Sequence, residues 1–342
     1  MKIKHYIVLL ILVLTSASCR LIDDDLSVCG TESDYLIDYQ VKLVTEIHME
    51  IDEKLSSDIE KPIADALKGW SDTIFSGHAH DLDMNFYSLD GTDELKYHFA
   101  EIIDASQKSY TLTIPRENYR HLALVNIVDN QSVSILGRPH ASTMYVAQSE
   151  SDTVESHATA VYTARQQMNM TEGEDLSFDV HLYMASCAVA LAIIDSATSS
   201  KPTMRNVLLA GTASGFNLSD SVYSFSKPRL VRAQKVMDQC YVTVAFPSRD
   251  SLVTTPASLP GAANAHMTEP SLWELRAYVQ TQDGKITENI LTISKPLKAG
   301  TLEIIKVQLN DDGSLVPVQN AMVGVTVTLD WKDGGTHDVI TG

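Results

Sequence analysis

A long alternation near the start of the chain constrains the fold more than any other feature. Ile37, Tyr39, Val41, Leu43, Thr45, Ile47, Met49 and Ile51 hold the odd positions, and Asp38, Gln40, Lys42, Glu46, His48 and Glu50 hold even ones. Successive side chains of a strand point to opposite faces, so this pattern predicts a strand with one buried face. The period of two returns along the chain. Leu82, Met84 and Phe86 alternate with polar residues up to the turn signal Leu89-Asp90-Gly91. Tyr110, Leu112 and Ile114 alternate until Pro115, and Leu122 to Val128, broken only by Asn126, reads as an apolar run, as in a strand covered on both faces. Val161 to Met168 predicts a further strand.

The polar, turn-forming Glu172-Gly-Glu-Asp175 separates this series from a second one. Strands are predicted from Leu176, at Val189 to Ile194, at Tyr241 to Phe246 and at Trp273 to Thr281. Leu302 and Ile304 lie in one phase, and Ile305, Val307 and Leu309 in the other, a slip that predicts a bulge. Asn310-Asp311-Asp312-Gly313 reads as a tight turn, after which Val323, Val325, Val327, Leu329 and Trp331 alternate again. One stretch has helical spacing: Leu55, Ile59, Ile63, Leu67, Trp70 and Ile74. Its start is either a capping box from Ser57 to Glu60 or Pro62 as first helical residue. The reading is all-β, two tandem β-sandwiches with one short helix in the first. The divisions are 1–18 signal peptide, 19–34 tether, 35–172 N-terminal sandwich and 173–342 C-terminal sandwich.

The first residues carry an address. Lys2 and Lys4 precede an apolar run from Tyr6 to Leu14, and Ser16, Ala17 and Ser18 lead into Cys19. That order predicts a secretory signal peptide, too short to span a bilayer stably. Small residues ending at a cysteine predict lipidation of Cys19, although Ser16 stands where the lipobox prefers leucine. The chain carries 26 Lys and Arg against 44 Asp and Glu, a net charge of −18, so a nucleic-acid partner is not expected. Such a surface would not adhere to anionic headgroups by charge, which leaves attachment to the lipid on Cys19. Besides Cys19 there are Cys29, Cys187 and Cys240, enough for one bridge at most, with the pair left open.

Little in the chain points to catalysis. His78, His80 and Asp81 place three metal-ligating residue types within four positions, but no matching ligands stand out elsewhere, and a polar loop is the favoured reading. Asn310 to Gly313 lacks the alternating acidic ligands of a calcium loop. Cys187, in MASCAVAL, reads as a small buried residue, and Trp331 as core. No GxSxG, HExxH or nucleotide-binding fingerprint occurs, so no catalytic residue, cofactor or metal site is assigned.

DDDLSVC (Asp23 to Cys29), directly after Cys19, resembles the FimB/Mfa-type fimbrial anchor lipoproteins of Bacteroidales. YTLTIPRENYRHLALVN (Tyr110 to Asn126), VYTARQQMNM (Val161 to Met170), FDVHLYMASCAVALAI (Phe178 to Ile193) and VTVTLDWKDGG (Val325 to Gly335) are similar to the same family in the same order. The helical segment near residues 56–75 fits it less well. The resemblance implies two transthyretin-like β-sandwiches on an outer-membrane lipid anchor, palmitoylated and surface-exposed, that holds a fimbria, or pilus, and ends its growth. Stalk subunits of the related type lose a first strand by cleavage at a basic residue and then join by strand addition. Residues 21–41 here contain no Lys or Arg, so the first strand is expected to stay in place. The C-terminal strand from Val323 to Trp331 is then the candidate contact for a fimbrial stalk subunit. The alternative is a surface module for cell adhesion that recognises glycan or host protein.

Overall fold

The computed structural model describes residues 34–41, 60–75, 81–102, 109–128, 130–170, 177–194, 202–251 and 272–326. In chain order the first strands are β1 (Asp34–Val41), β2 (Asp81–Ser88), β3 (Leu95–Ile102), β4 (Ser109–Pro115) and β5 (Tyr119–Val125), with helix α1 (Lys61–Phe75) between β1 and β2. Next come β6 (Val133–Leu136), β7 (Tyr145–Gln148), β8 (Thr153–Glu155), β9 (Tyr162–Met168), β10 (Ser177–Val180), β11 (Tyr183–Met184) and β12 (Cys187–Ile194). The rest are β13 (Thr203–Ala210), β14 (Gly215–Asn217), β15 (Val222–Ser224), β16 (Leu230–Arg232), β17 (Gln234–Met237) and β18 (Cys240–Ala245), then β19 (Trp273–Gln280), β20 (Ile286–Ile293), β21 (Thr301–Leu309) and β22 (Leu315–Thr326). The described residues are all-β apart from α1 and a short 3-10 turn at Ala141–Thr143.

Five sheets result. A small sheet runs β10-β1-β4, a first sheet β11-β9-β5-β2-β3 and a bridging sheet β15-β14-β7-β6. A central sheet runs β17-β18-β12-β21-β22 and an outer sheet β20-β19-β13-β16-β8. Four pairings join strands from either side of residue 172: β1 with β10, β9 with β11, β7 with β14 and β8 with β16.

Three cores explain these layers. Tyr87, Leu122, Leu124, Val146, Phe216 and Phe246 fill the space between the first and bridging sheets. Val189, Leu191, Leu209, Trp273, Leu275 and Val307 fill that between the central and outer sheets. The third core joins the two sandwiches. Ile63, Leu67 and Ile74 of α1 meet Met84, Phe86 and Val125 of the first sheet and Ala188, Ala190, Val242 and Ile304 of the central sheet. The alanines of β12 leave room for the helix, while Val189 and Leu191 fill the other side.

Two sequence expectations need correction and one is met. The slip at Leu302 to Leu309 does mark a pairing irregularity, though not with β12, to which β21 pairs in unbroken register from Leu302 to Gln308. Both phases are apolar because the strand lies between two cores, Leu302 and Ile304 facing one and Ile305 and Val307 the other. The pairing irregularity falls instead against β22, between Ile305 and Val307. The run from Leu122 to Val128 does not continue as strand, because Asn126 turns out at φ 63° and leaves Val128 exposed. Helix α1 begins at Lys61, one residue before Pro62, and the Glu60 carbonyl accepts from the N–H groups of Ile63 and Ala64. Ser57 lies outside the described residues.

Candidate assembly interface

Assembly by strand addition needs either a missing strand or an open edge, so the two ends of the fold are the place to look. β1 is the middle strand of its sheet. Its antiparallel register with β4 runs from Asp34 opposite Pro115 to Gln40 opposite Ser109. On its other side it runs parallel to β10, with Asp38 opposite Ser177 and Val41 opposite Val180. β1 is therefore paired along most of one edge and over its second half on the other, and its sheet is tied into the shared core by Leu112 and Ile114 of β4 and Val180 of β10. The rest of the predicted strand, to Ile51, lies outside the described residues.

β22 is placed differently. It closes the central sheet, paired to β21 on one side and to no strand among the described residues on the other. The hairpin that delivers it is tightly specified. Asn310 N–H donates to Ser314 O at 3.0 Å, Gly313 N–H donates to Asn310 O at 3.0 Å, and Gly313 takes φ +78°, which suits glycine. The Asp312 carboxylate accepts from the Ser314 hydroxyl at 2.6 Å and from Ser314 N–H at 2.9 Å, and these bonds hold it below the usual carboxylate range. This segment is the predicted turn. Beyond it, Val323 stands opposite Ile304 and Val325 opposite Leu302. Within the predicted contact strand Val323 to Trp331, residues up to Thr326 belong to β22, and 327–331, Trp331 included, lie outside the described residues.

Cys19 and Cys29 also lie outside the described residues. Cys187 and Cys240 are wholly buried free thiols on neighbouring strands. They are five positions apart, since Cys240 stands opposite Ala192, and they face different cores, which precludes a bridge between them. Burial pushes the Cys187 thiol well up and that of Cys240 to about 12, so neither is a nucleophile at neutral pH. His78 and His80 lie outside the described residues. Asp81 is not in a loop: it opens β2, is buried, and accepts from the backbone N–H groups of Ile127 and Val128 at 2.9 Å each. Its carboxylate secures the chain as it leaves β5.

A polar cluster that the sequence analysis did not single out lies where the first and bridging sheets meet. The Arg138 guanidinium donates to the buried Asp83 carboxylate at 2.8 and 3.0 Å and to Asn85 Oδ1 at 3.2 Å, and it also contacts His98. His98 Nε2 is 3.0 Å from Asp83. The sequence signal is visible in hindsight: Asp83 and Asn85 occupy polar phases of a strand whose alternate residues, Met84 and Phe86, are wholly buried. Elsewhere in the interior, Ser186 Oγ lies 3.4 Å from His157 Nδ1 and accepts from Val161 N–H at 3.0 Å, with both side chains sealed from solvent.

No family model matches the sequence. No curated protein is significantly similar to it. Solved structures do match. The structural neighbours include Bacteroidales fimbrial proteins. The fimbrial anchor protein Mfa2 of Porphyromonas gingivalis is 10% identical, with a TM-score of 0.47 over 86% of this chain and 99% of that one. The tip fimbrial protein Mfa3 of the same organism, truncated at its C-terminus, is 11% identical, with a TM-score of 0.42 over 73% of this chain and 94% of that one. A fimbrial assembly protein of Parabacteroides distasonis is 10% identical, with a TM-score of 0.46 over 86% of this chain and 97% of that one.

Proposed function

We propose that this chain is a non-enzymatic lipoprotein that anchors a fimbria to the outer membrane and ends its assembly. The observation that carries the reading is the contrast between its terminal strands. β1 lies between two strands, paired with β4 from Asp34 to Gln40 and with β10 from Asp38 to Val41, so it holds the place in the sheet that an incoming donor strand would need. Among the described residues no strand pairs with the second edge of β22, which in this reading meets a neighbouring subunit. A unit that offers one contact and withholds the other is a chain terminator. Membrane attachment in this reading comes from lipid on Cys19, with residues 20–34 as tether and the protein facing outward. Residues 35–172 and 173–342 are proposed as its two sandwich units, joined through the shared core.

The test is binding of the purified stalk subunit to the chain with and without residues 320–342. Loss of binding on deletion, with the circular dichroism of the remainder unchanged, is the expected result. Unchanged binding overturns the role given to β22. Replacing Cys19 by alanine should move the protein from the outer-membrane fraction to the soluble one, whereas persistence in the membrane would contradict the lipid anchor.

A further inference from the structure

We infer that the outer edge of β20 pairs with the same edge of a second copy of this chain. β20 ends the outer sheet, and among the described residues no strand lies on its second side. On its first side it pairs with β19 in unbroken register, from Gln280 opposite Ile286 to Trp273 opposite Ile293. At the hairpin that joins the two, Thr281 N–H donates to Lys285 O at 2.9 Å, which sets the alternation of the ladder. The N–H and C=O groups of Ile286, Glu288, Ile290 and Thr292 therefore point away from β19. The side-chain bonds of β20 do not occupy that edge. Glu288 accepts from the Tyr278 hydroxyl on β19, and Thr287 and Asn289 donate to Asp312 O and Gly313 O in the turn before β22.

The edge is unguarded. Sheets are protected at their borders by proline, lysine, bulges or brevity. β3 carries Lys96, β4 ends on Pro115, β17 has Lys235 and an irregular register, and β22 has Pro317 and an irregularity against β21. The edge strands β6, β8, β10, β11 and β15 have four residues or fewer. β20, ITENILTI, has eight residues, with no proline and no lysine. Its outer face is also apolar where it meets solvent: Ile286 is 59% exposed and Ile290 39%.

Charge selects the register. Two copies that meet antiparallel about an axis perpendicular to the sheet pair outward-pointing residues with outward-pointing residues. An axis at Glu288 sets that carboxylate against its own copy, and an axis at Ile290 sets Lys285 against Lys295. An axis at Asn289 instead places Asp283 opposite Lys295, a half-exposed ammonium that also serves Glu303, at both ends of the joint. No like-charged pair lies between them. Ile286 then stands opposite Thr292 of the second copy and Glu288 opposite Ile290, so every outward-pointing residue finds a partner. Ile290 lies diagonal to both Ile286 and Ile290 of the second copy, and the exposed isoleucines merge into one apolar patch. The two outer sheets become one continuous sheet. β20 and β22 belong to different sheets, and the inference does not depend on the role proposed for β22.

Sedimentation equilibrium of the full chain in mild detergent tests the pairing. The wild type should be a dimer at micromolar concentration. Ile290→Glu, an exposed substitution, sets a carboxylate against Glu288 of the other copy on both sides of the axis and should weaken the dimer about tenfold. Adding Glu288→Lys reverses one charge of each pair and should restore the dimer. A wild type still monomeric at ~100 μM overturns the inference, because symmetric pairing of a whole strand would be populated there. A dimer indifferent to Ile290→Glu, or one that the added Glu288→Lys fails to restore, places the contact elsewhere and overturns it equally.

Discussion

His157 and His121 are the two wholly buried histidines among the described residues, and each costs the fold something in acid. His157 Nε2 has no hydrogen-bond partner, and its ring packs edge-on against Phe246 with centroids 4.9 Å apart. His121 stacks on Phe86 and lies 3.0 Å from the Asn85 carbonyl. Burial lowers both imidazoles from 6.5 to about 4. A depressed histidine is neutral in the fold and protonates more readily in the unfolded chain. Stability is therefore full above pH 6.5, falls as pH drops from 6.5 to 4, and stops falling on this account below 4. Each group contributes up to about 3 kcal/mol across that window. Urea midpoints measured between pH 7 and 4 should show a shallower decline in His157→Gln than in the wild type; parallel curves would contradict the assignment. Asp81 makes a second prediction. Replacing it by alanine strands two backbone N–H groups and should cost about 2 kcal/mol in chemical denaturation. Neither role was legible in the sequence. His157 sits in the polar-looking SHAT and Asp81 after two histidines, and only the fold shows that the one is sealed and the other tied to Ile127 and Val128. Cys187 was legible, because MASCAVAL has no polar phase to expose it.

At the scale of elements, both clean alternation and the continuously apolar runs of β5 and β12 were readable as strands, while pairing register and the shortest strands were not. Leu82, Met84 and Phe86 gave β2 directly, and Asn310 to Gly313 gave the hairpin before β22. β21 mixes two apolar phases because each face meets a different core, which mimics a slipped register. The short strands of the bridging sheet, three or four residues each, are too brief to carry a period. Helix α1 was visible as a stripe, but its burial against the central sheet depends on the alanines of β12, more than a hundred residues away. Two substitutions probe that fit. Leu67→Ala should destabilise by about 2–5 kcal/mol, as for a wholly buried leucine. Ala190→Leu adds apolar volume where Ala188, Ala190 and Ala192 leave room for α1, and should cost about 1–3 kcal/mol. If thermal melts show Ala190→Leu neutral or stabilising, the helix does not pack as described.

The whole molecule is bound together by the core that contains α1 and by four strand pairings across residue 172. Separating the halves would expose Ala188, Ala190, Val242, Leu302 and Ile304 together with the apolar face of the helix. Calorimetry should accordingly give one cooperative transition, and two resolved transitions would contradict a shared core. The sequence divided the chain at Glu172 to Asp175 because the polarity there marks a turn; it carried no sign that strands would pair across it. The central claim is that this molecule terminates a fibre and holds it to the cell. The direct measurement is the share of fimbrial subunit found in the culture medium, cells against supernatant, in a strain lacking this chain and in one complemented with it. The account predicts long fibres shed into the medium without it and retention on cells when it is restored. An unchanged share, with fibres of normal length still on the cells, would contradict it.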